Sequence, residues 1–212
     1  MVNKIVELFS GTASVGREFE KKGWNLTTVD NDPQFKPDIC ENLLDVNTEI
    51  LGEPDVVWAS PPCTCFSVAS ISTHWTGGHR AYVPKTDDAV LATLIVEHTL
   101  DVIRYLKPRF WFIENPRGVL RKLPIMAGLQ RTTVTYCQYG DSRMKPTDIW
   151  DTVDEFDWRP MCKNGDSCHE AAPRGAKTGT QGLDPVDRSR IPEALGRELC
   201  EQIEKKIGNK RG

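Results

Sequence analysis

Asp55-Val-Val-Trp-Ala-Ser-Pro-Pro-Cys63-Thr-Cys-Phe-Ser67 is the stretch whose reading decides the fold. Its first half is an apolar run of strand type. Two prolines end the run, because proline has no N–H to give a central strand and fixes its own φ. Cys63 is thereby expected on a stiff bend just past the carboxyl edge of that strand. A second apolar run, Phe110-Trp-Phe-Ile-Glu114-Asn-Pro-Arg-Gly118, ends in an acid and another proline. If the two strands are neighbours, a thiol and a carboxyl group converge on one rim.

The flanking chain supplies the rest of such a sheet. Ile5–Phe9 reads as a strand, Ser10–Ser14 as a tight turn, and Val15–Lys22 as a helix stopped by Gly23. Trp24–Asp30, Asp38–Cys40, Thr132–Tyr136 and Asp148–Val153 read as further strands, besides Asp55–Ala59 and Phe110–Ile113. Asp87–Leu106 carries Val90, Leu94, Ile95, His98, Val102, Ile103 and Leu106 at helical spacing. Residues 60–86 have no periodicity and are expected to be a long loop. Pro192–Ile207 is an amphipathic helix with proline in its first turn. Strands alternating with helices predict an α/β fold, a mostly parallel sheet with helices on both faces.

Composition narrows the class. At 212 residues the chain fits one well-cored domain with a small appendage. Seven cysteines, odd in number and scattered, do not resemble a secreted disulfide framework. No apolar run approaches the roughly 20 residues of a membrane span, and the amino terminus leads straight into a strand rather than a signal segment. A cytoplasmic protein without membrane attachment is expected. The net charge of −3 excludes a generic polycation, but the halves differ. Residues 1–106 hold 8 Lys+Arg against 15 Asp+Glu, and residues 107–212 hold 19 against 15. The basic half could present a phosphate-binding face, or be ordinary solvated charge.

The first turn suits a nucleotide-type ligand: Phe9-Ser-Gly-Thr can turn backbone N–H groups toward it, and Asp30 can bind both hydroxyls of a ribose. The Gly-x-Gly-x-x-Gly spacing of a dinucleotide site is missing.

Together, Glu7-Leu-Phe-Ser-Gly11, Val29-Asp30, Pro61-Pro-Cys63-x-x-Phe66-Ser67 and Glu114-Asn115 resemble the DNA cytosine-5 methyltransferases, in that family's order and spacing, over roughly residues 4–153. The small size resembles phage-encoded members, which would work in a bacterial host cell. The resemblance implies a seven-stranded Rossmann-like methyltransferase sheet and S-adenosylmethionine as donor. It implies a catalytic domain over 1–157, a target-recognition insert over 158–190, and a C-terminal helix over 191–212 packing back. Phe9, Ser10, Gly11 and Thr12 match the first cofactor motif, though Ala13-Ser14 replace its usual glycines. Asp30, with Asn31 beside it, matches the ribose-binding acid. Asn42 stands where an acid often meets the adenine amino group, with Asp45 a nearby alternative, and Pro61 borders the methionine end. Lys145 and Thr147 fall where the family carries two arginines that contact cytosine and phosphate, and Arg143 lies close by. Lysine offers a point charge rather than a planar fork, so this is no neutral exchange.

The chemistry calls for the same residue types. Carbon 5 of cytosine is a poor nucleophile until a thiolate adds at carbon 6, the task of Cys63. Nitrogen 3 then needs a proton, which Glu114 can give if burial raises its pKa. Asn115 can hold the strand end or the loop beneath. Cys65 falls in the variable part of the motif, and Cys40, Cys137 and Cys200 sit in core-like patterns. Duplex DNA hides carbon 5, so the base must be flipped, and loop 60–86 could close over it. Gly77-Gly78 would then act as a hinge, with Ser67, Trp75 and Arg80 at the duplex. His74 and His79 are expected to face substrate or solvent. Arg174, Lys177 and Gln181, with Arg159 and Lys163, are suited to phosphates and base edges. Cys162, Cys168 and His169 form a partial zinc knuckle whose spacing is wide and whose fourth ligand is missing, so no metal is expected.

The expected partner is double-stranded DNA, met by a monomer. Two other readings stand beside this one: a tRNA cytosine-5 methyltransferase, and a catalytically weak cofactor- or DNA-binding module of the same fold.

Overall fold

A computed structural model describes residues 2–78, 81–152, 155–170 and 183–208. In chain order its strands are β1 (Lys4–Leu8), β2 (Asn25–Asp30), β3 (Ile39–Cys40), β4 (Val56–Ala59), β5 (Trp75–Thr76), β6 (Val83–Pro84), β7 (Phe110–Pro116), β8 (Arg131–Thr135) and β9 (Pro146–Asp151). Its α-helices are α1 (Gly16–Glu20), α2 (Ile71–His74), α3 (Asp87–Leu106), α4 (Pro185–Ser189) and α5 (Glu193–Gly208). Seven strands form one sheet in the order β3-β2-β1-β4-β7-β9-β8. All neighbours from β3 to β7 are parallel, while β9 runs antiparallel to both β7 and β8.

Both faces of the sheet are buried, as continuous apolar strands require. Successive residues alternate between two cores. Val6, Leu8, Val57, Ala59 and Ile113 meet Ala92, Val96, Leu100 and Ile103 of α3 on one face. Ile5, Val56, Trp58, Phe110 and Phe112 meet Phe19 of α1 and Leu195, Leu199, Ile203 and Ile207 of α5 on the other. Thr86 caps α3 by accepting from the Ala89 N–H, and two aspartates follow in the first turn, where the helix dipole favours them.

Two regions differ from the sequence expectation. Residues 60–86 are not one long loop: they hold a 3-10 turn, α2 and the β5–β6 ribbon. Short, mixed elements pinned by side chains leave no period to read. β7 continues to Pro116 and β9 begins at Pro146, because the two strands pair up to Pro116 opposite Thr147. Glu114 and Thr147 therefore lie within strands, not beyond them. Residues 155–170 contain no helix or strand. They are held by Arg159, which pairs with Glu198 and donates its backbone N–H to the Tyr139 hydroxyl at 2.9 Å, and by Asp157, bonded to Gln202. Among the described residues no helix is long and apolar enough to cross a membrane.

Candidate active site

β4 and β7 are hydrogen-bonded neighbours, Ala59 facing Ile113, so the residues past β4 and those at the end of β7 meet on one rim. Three ties fix the Pro61–Ser67 segment there. The Asn115 amide donates to the Pro61 carbonyl at 2.9 Å, the Val119 N–H donates to the Phe66 carbonyl at 2.8 Å, and Ser67 bridges to Gly118. Only glycine fits at 118, since a Cβ there would lie 2.0 Å from the Phe66 carbonyl oxygen. Asn115 thus holds the loop that carries the thiol, as its position implied. Cys63 is half-buried, whereas Cys65 is 7% exposed and packs in the core.

Glu114 is 6% exposed. Tyr136 donates its hydroxyl to Glu114 Oε1 at 2.8 Å, and Ser60, itself bonded by the Trp58 indole N–H at 2.9 Å, also contacts the carboxyl. Burial pushes the carboxyl's pKa up; the Lys145 charge and the Tyr136 and Ser60 hydrogen bonds pull part of that back. Burial likewise pushes the Cys63 thiol up, with Glu114 adding to the rise and Lys145 opposing it. Burial lowers Lys145, while Glu114 and Cys63 hold its proton on. Cys63, Glu114 and Lys145 form one electrostatic unit.

Lys145 adopts φ 29°, and its ammonium lies 4.6 Å from the Tyr136 ring centroid and donates to the Arg188 carbonyl at 2.8 Å. Thr147 is fully buried and donates to the Lys145 carbonyl at 3.2 Å. Arg143 corrects the sequence reading. Its guanidinium is 4% exposed, ion-paired with Asp141, and donates to the Arg188 carbonyl at 3.3 Å. It is a structural group here, not a hand held out to DNA. Trp75 is corrected too: it is 4% exposed, stacks on Phe66 and donates to the Cys65 carbonyl at 2.7 Å. His74 bonds the Thr86 hydroxyl rather than facing outward. Ser67 is half-buried and its hydroxyl pairs with that of Ser70. Arg80, Arg174, Lys177, Gln181 and His79 lie outside the described residues.

The glycine turn after β1 opens beside Asp30. Phe9, Gly11 and Ala13 all adopt positive φ, and the Gly11 N–H donates to Asp30 at 2.8 Å. The buried Ser10 hydroxyl has no partner, and the space where a Gly11 side chain would stand is open. An orphaned buried hydroxyl and an open backbone beside a carboxylate fit a ribose-bearing group. Thr12 bonds Ser14, Asn31 is exposed, and Pro61 is buried. The Asn42 oxygen accepts from the Leu44 N–H at 3.1 Å, closing its own turn.

Sequence reasoning missed Tyr136, read only as a strand end. It also missed Glu7, 2% exposed, which accepts from the Gly16 N–H at 2.6 Å and anchors α1. An acid inside an apolar strand was the signal for Glu7. Tyr136 offered none, because its partner is set by pairing across β9. Cys137 is buried as expected and also lies beside Cys162, Cys168 and His169, whereas Cys40, likewise assigned to the core, is exposed.

No family model matches the chain. A protein of Frog virus 3 (isolate Goorha), named "Probable DNA (cytosine-5)-methyltransferase", is 30% identical over 215 residues, covering 93% of this chain and 99% of the viral protein. The chain belongs to the DNA (cytosine-5)-methyltransferase family. The Entamoeba histolytica methyltransferase EhMeth superposes with TM-score 0.52 at 16% identity, covering 77% of this chain and 57% of that one. A methyltransferase encoded within an E. coli prophage gives 0.51 at 16% identity, covering 70% and 46%. These likenesses show the methyltransferase fold, and the chain spans about half the length of those solved structures.

Proposed function

We propose that this enzyme, acting as a monomer, methylates carbon 5 of a cytosine flipped out of double-stranded DNA. The observation that carries the reading is the meeting of Cys63 with a buried Glu114 across adjacent strands, with Lys145 coupled to both. S-adenosylmethionine, when bound, supplies the methyl group; Phe9, Ser10, Gly11, Thr12, Asp30 and Pro61 would hold it.

The protein's own groups do the rest. The Cys63 thiol loses its proton to solvent, and its sulfur bonds to ring carbon 6 as the carbon 5–carbon 6 double bond opens toward nitrogen 3. Glu114 gives its proton to ring nitrogen 3 as that bond forms, so the electron pair pushed into the ring finds no unscreened charge. Carbon 5 becomes the nucleophile. After methylation, water takes the carbon 5 proton, the carbon 5–carbon 6 double bond re-forms as the Cys63 thiolate leaves, and nitrogen 3 returns its proton to Glu114. Lys145 steadies negative charge beside both groups, and Asn115 keeps the thiol loop at a fixed height above β7. Burial and exclusion of water strengthen each of these interactions.

Tritiated methyl transfer to duplex DNA, with tRNA assayed in parallel, tests the reading. Cys63→Ser should abolish transfer while leaving S-adenosylmethionine affinity within about twofold, because an alcohol is a far weaker nucleophile at neutral pH. DNA carrying 5-fluorocytosine should trap the enzyme covalently at Cys63, since fluorine blocks the final elimination. An adduct at Cys65, or transfer to tRNA alone, would overturn the assignment.

A further inference from the structure

We propose that Cys137, Cys162, Cys168 and His169 bind a structural zinc ion that fixes residues 159–170 against the end of β8. The four ligand atoms lie within 4.8 Å of one another. His169 Nδ1 sits 3.7 Å from Cys162 Sγ and 3.6 Å from Cys168 Sγ. Cys137 Sγ sits 3.1 Å from Cys162 Sγ and 3.6 Å from Cys168 Sγ. A tetrahedral zinc site with bonds of about 2.3 Å to sulfur and about 2.0 Å to nitrogen has edges of roughly 3.8 and 3.5 Å. The nitrogen–sulfur edges match, and so does the 3.6 Å sulfur–sulfur edge; the 3.1 Å separation is shorter than a zinc site's edge yet far beyond the roughly 2.05 Å of a disulfide, and all seven cysteines are free thiols.

The donor set selects the ion. Three thiols and one imidazole in a tetrahedron suit zinc, whereas oxygen donors would suit magnesium or calcium. A closed set of four protein ligands is a structural site, with no position left for water. Cys137 and Cys162 are buried, and the Gln138 amide donates to Cys168 Sγ at 3.4 Å. Binding would release the thiol protons to solvent as each sulfur becomes a thiolate ligand.

The surrounding chain has need of such a clip. Among residues 159–170 only Cys162 is buried, so this segment has no apolar core of its own. Three of its backbone N–H groups reach outward, Cys162 to the Thr135 hydroxyl at 3.0 Å, Arg159 to the Tyr139 hydroxyl at 2.9 Å and Glu170 to the Ser142 carbonyl at 2.8 Å, and the Arg159 side chain adds its pairing with Glu198 and the Gln138 carbonyl. The sequence conceals the site because Cys137 lies 25 residues before Cys162, on the far side of β9.

Protein purified under reducing conditions without chelator should carry about one zinc per chain by mass spectrometry of the metal, and cobalt(II) put in its place should give the thiolate charge-transfer bands of a tetrahedral site. Cys168→Ala and His169→Ala, both on the outer side of the cluster, should fold yet lose zinc on dialysis. Cys40→Ala, an exposed thiol on the opposite edge strand, should keep it. Protein that neither carries zinc nor takes it up on titration overturns the proposal, as does a Cys168→Ala variant that holds zinc like the parent. A Cys137–Cys162 disulfide recovered from protein prepared without reductant also overturns it.

Discussion

At the scale of single residues, the resting site stores its reactivity rather than displaying it. Burial and the Glu114 charge both raise the Cys63 thiol, against Lys145, a backbone hydrogen bond and the more distant Arg188. Iodoacetamide should therefore alkylate Cys63 more slowly than the exposed Cys40 at pH 8, with the rate climbing about tenfold per pH unit until the thiolate saturates. Glu114→Gln separates the two jobs of that carboxyl. Alkylation of Cys63 should speed up severalfold at pH values where Glu114 is ionised, because a raising charge is gone, while methyl transfer falls about 10²-fold or more, because an amide cannot deliver the proton that Glu114 carries in its acid form. Peptide mapping at several pH values and single-turnover assays read the two effects; changes in the same direction would separate Cys63 from Glu114. The thiol and the acid were legible in the sequence because each ends an apolar run at a proline. Tyr136 was not, since a phenol at a strand end looks like core until the opposite strand is placed.

At the scale of elements, the site depends on how the thiol loop is pinned to the end of β7. Gly118 lets two backbones approach so closely that a methyl group would meet the Phe66 carbonyl at 2.0 Å. Gly118→Ala should push the Cys63 loop away, costing about 1–3 kcal/mol of stability by forced repacking and lowering kcat by more than it raises KM. Chemical denaturation and steady-state kinetics give both numbers; unchanged turnover would mean the loop does not need that contact. The strands that build this junction were readable from their apolar runs. Segment 60–86 was not, because Trp75 and His74 find partners in Phe66 and Thr86 rather than in a repeating pattern. Arg143 misled for a related reason: a guanidinium in a basic half of the chain looks free until Asp141 is seen beside it.

At the scale of the whole molecule, one buried acid links α1 to the sheet and makes stability depend on pH. Desolvation raises Glu7 from 4.5 to about 7, against the Gly16 and Val15 N–H bonds and the Arg17 charge. The folded state thus holds a proton that the unfolded chain has lost. Its contribution, on the order of 3 kcal/mol, is complete below about pH 4.5 and is lost as pH rises through about 7. Asp151, raised to about 6, acts in the same sense. Glu7→Gln keeps an acceptor for the Gly16 N–H and cannot titrate. The variant's stability relative to the parent should therefore rise between pH 5 and pH 8, measured as the difference in guanidinium midpoints; a difference that does not move with pH would show that Glu7 stays charged. The alternating apolar pattern exposed the two-faced core to sequence reading. The irregular 155–170 segment gave no such pattern, its order resting on thiols, an imidazole and an arginine from distant parts of the chain.

Arg188 offers one carbonyl to both Lys145 and Arg143. A pyrimidine oxygen that accepts from the lysine would therefore exchange a hydrogen bond rather than add one, and the last turn of α4 would lose an anchor as it did so. Arrival of a base at the rim is then a swap of occupants. The slow event in docking would be the departure of the chain's own carbonyl, and association would level off at the rate of that opening as substrate concentration rises.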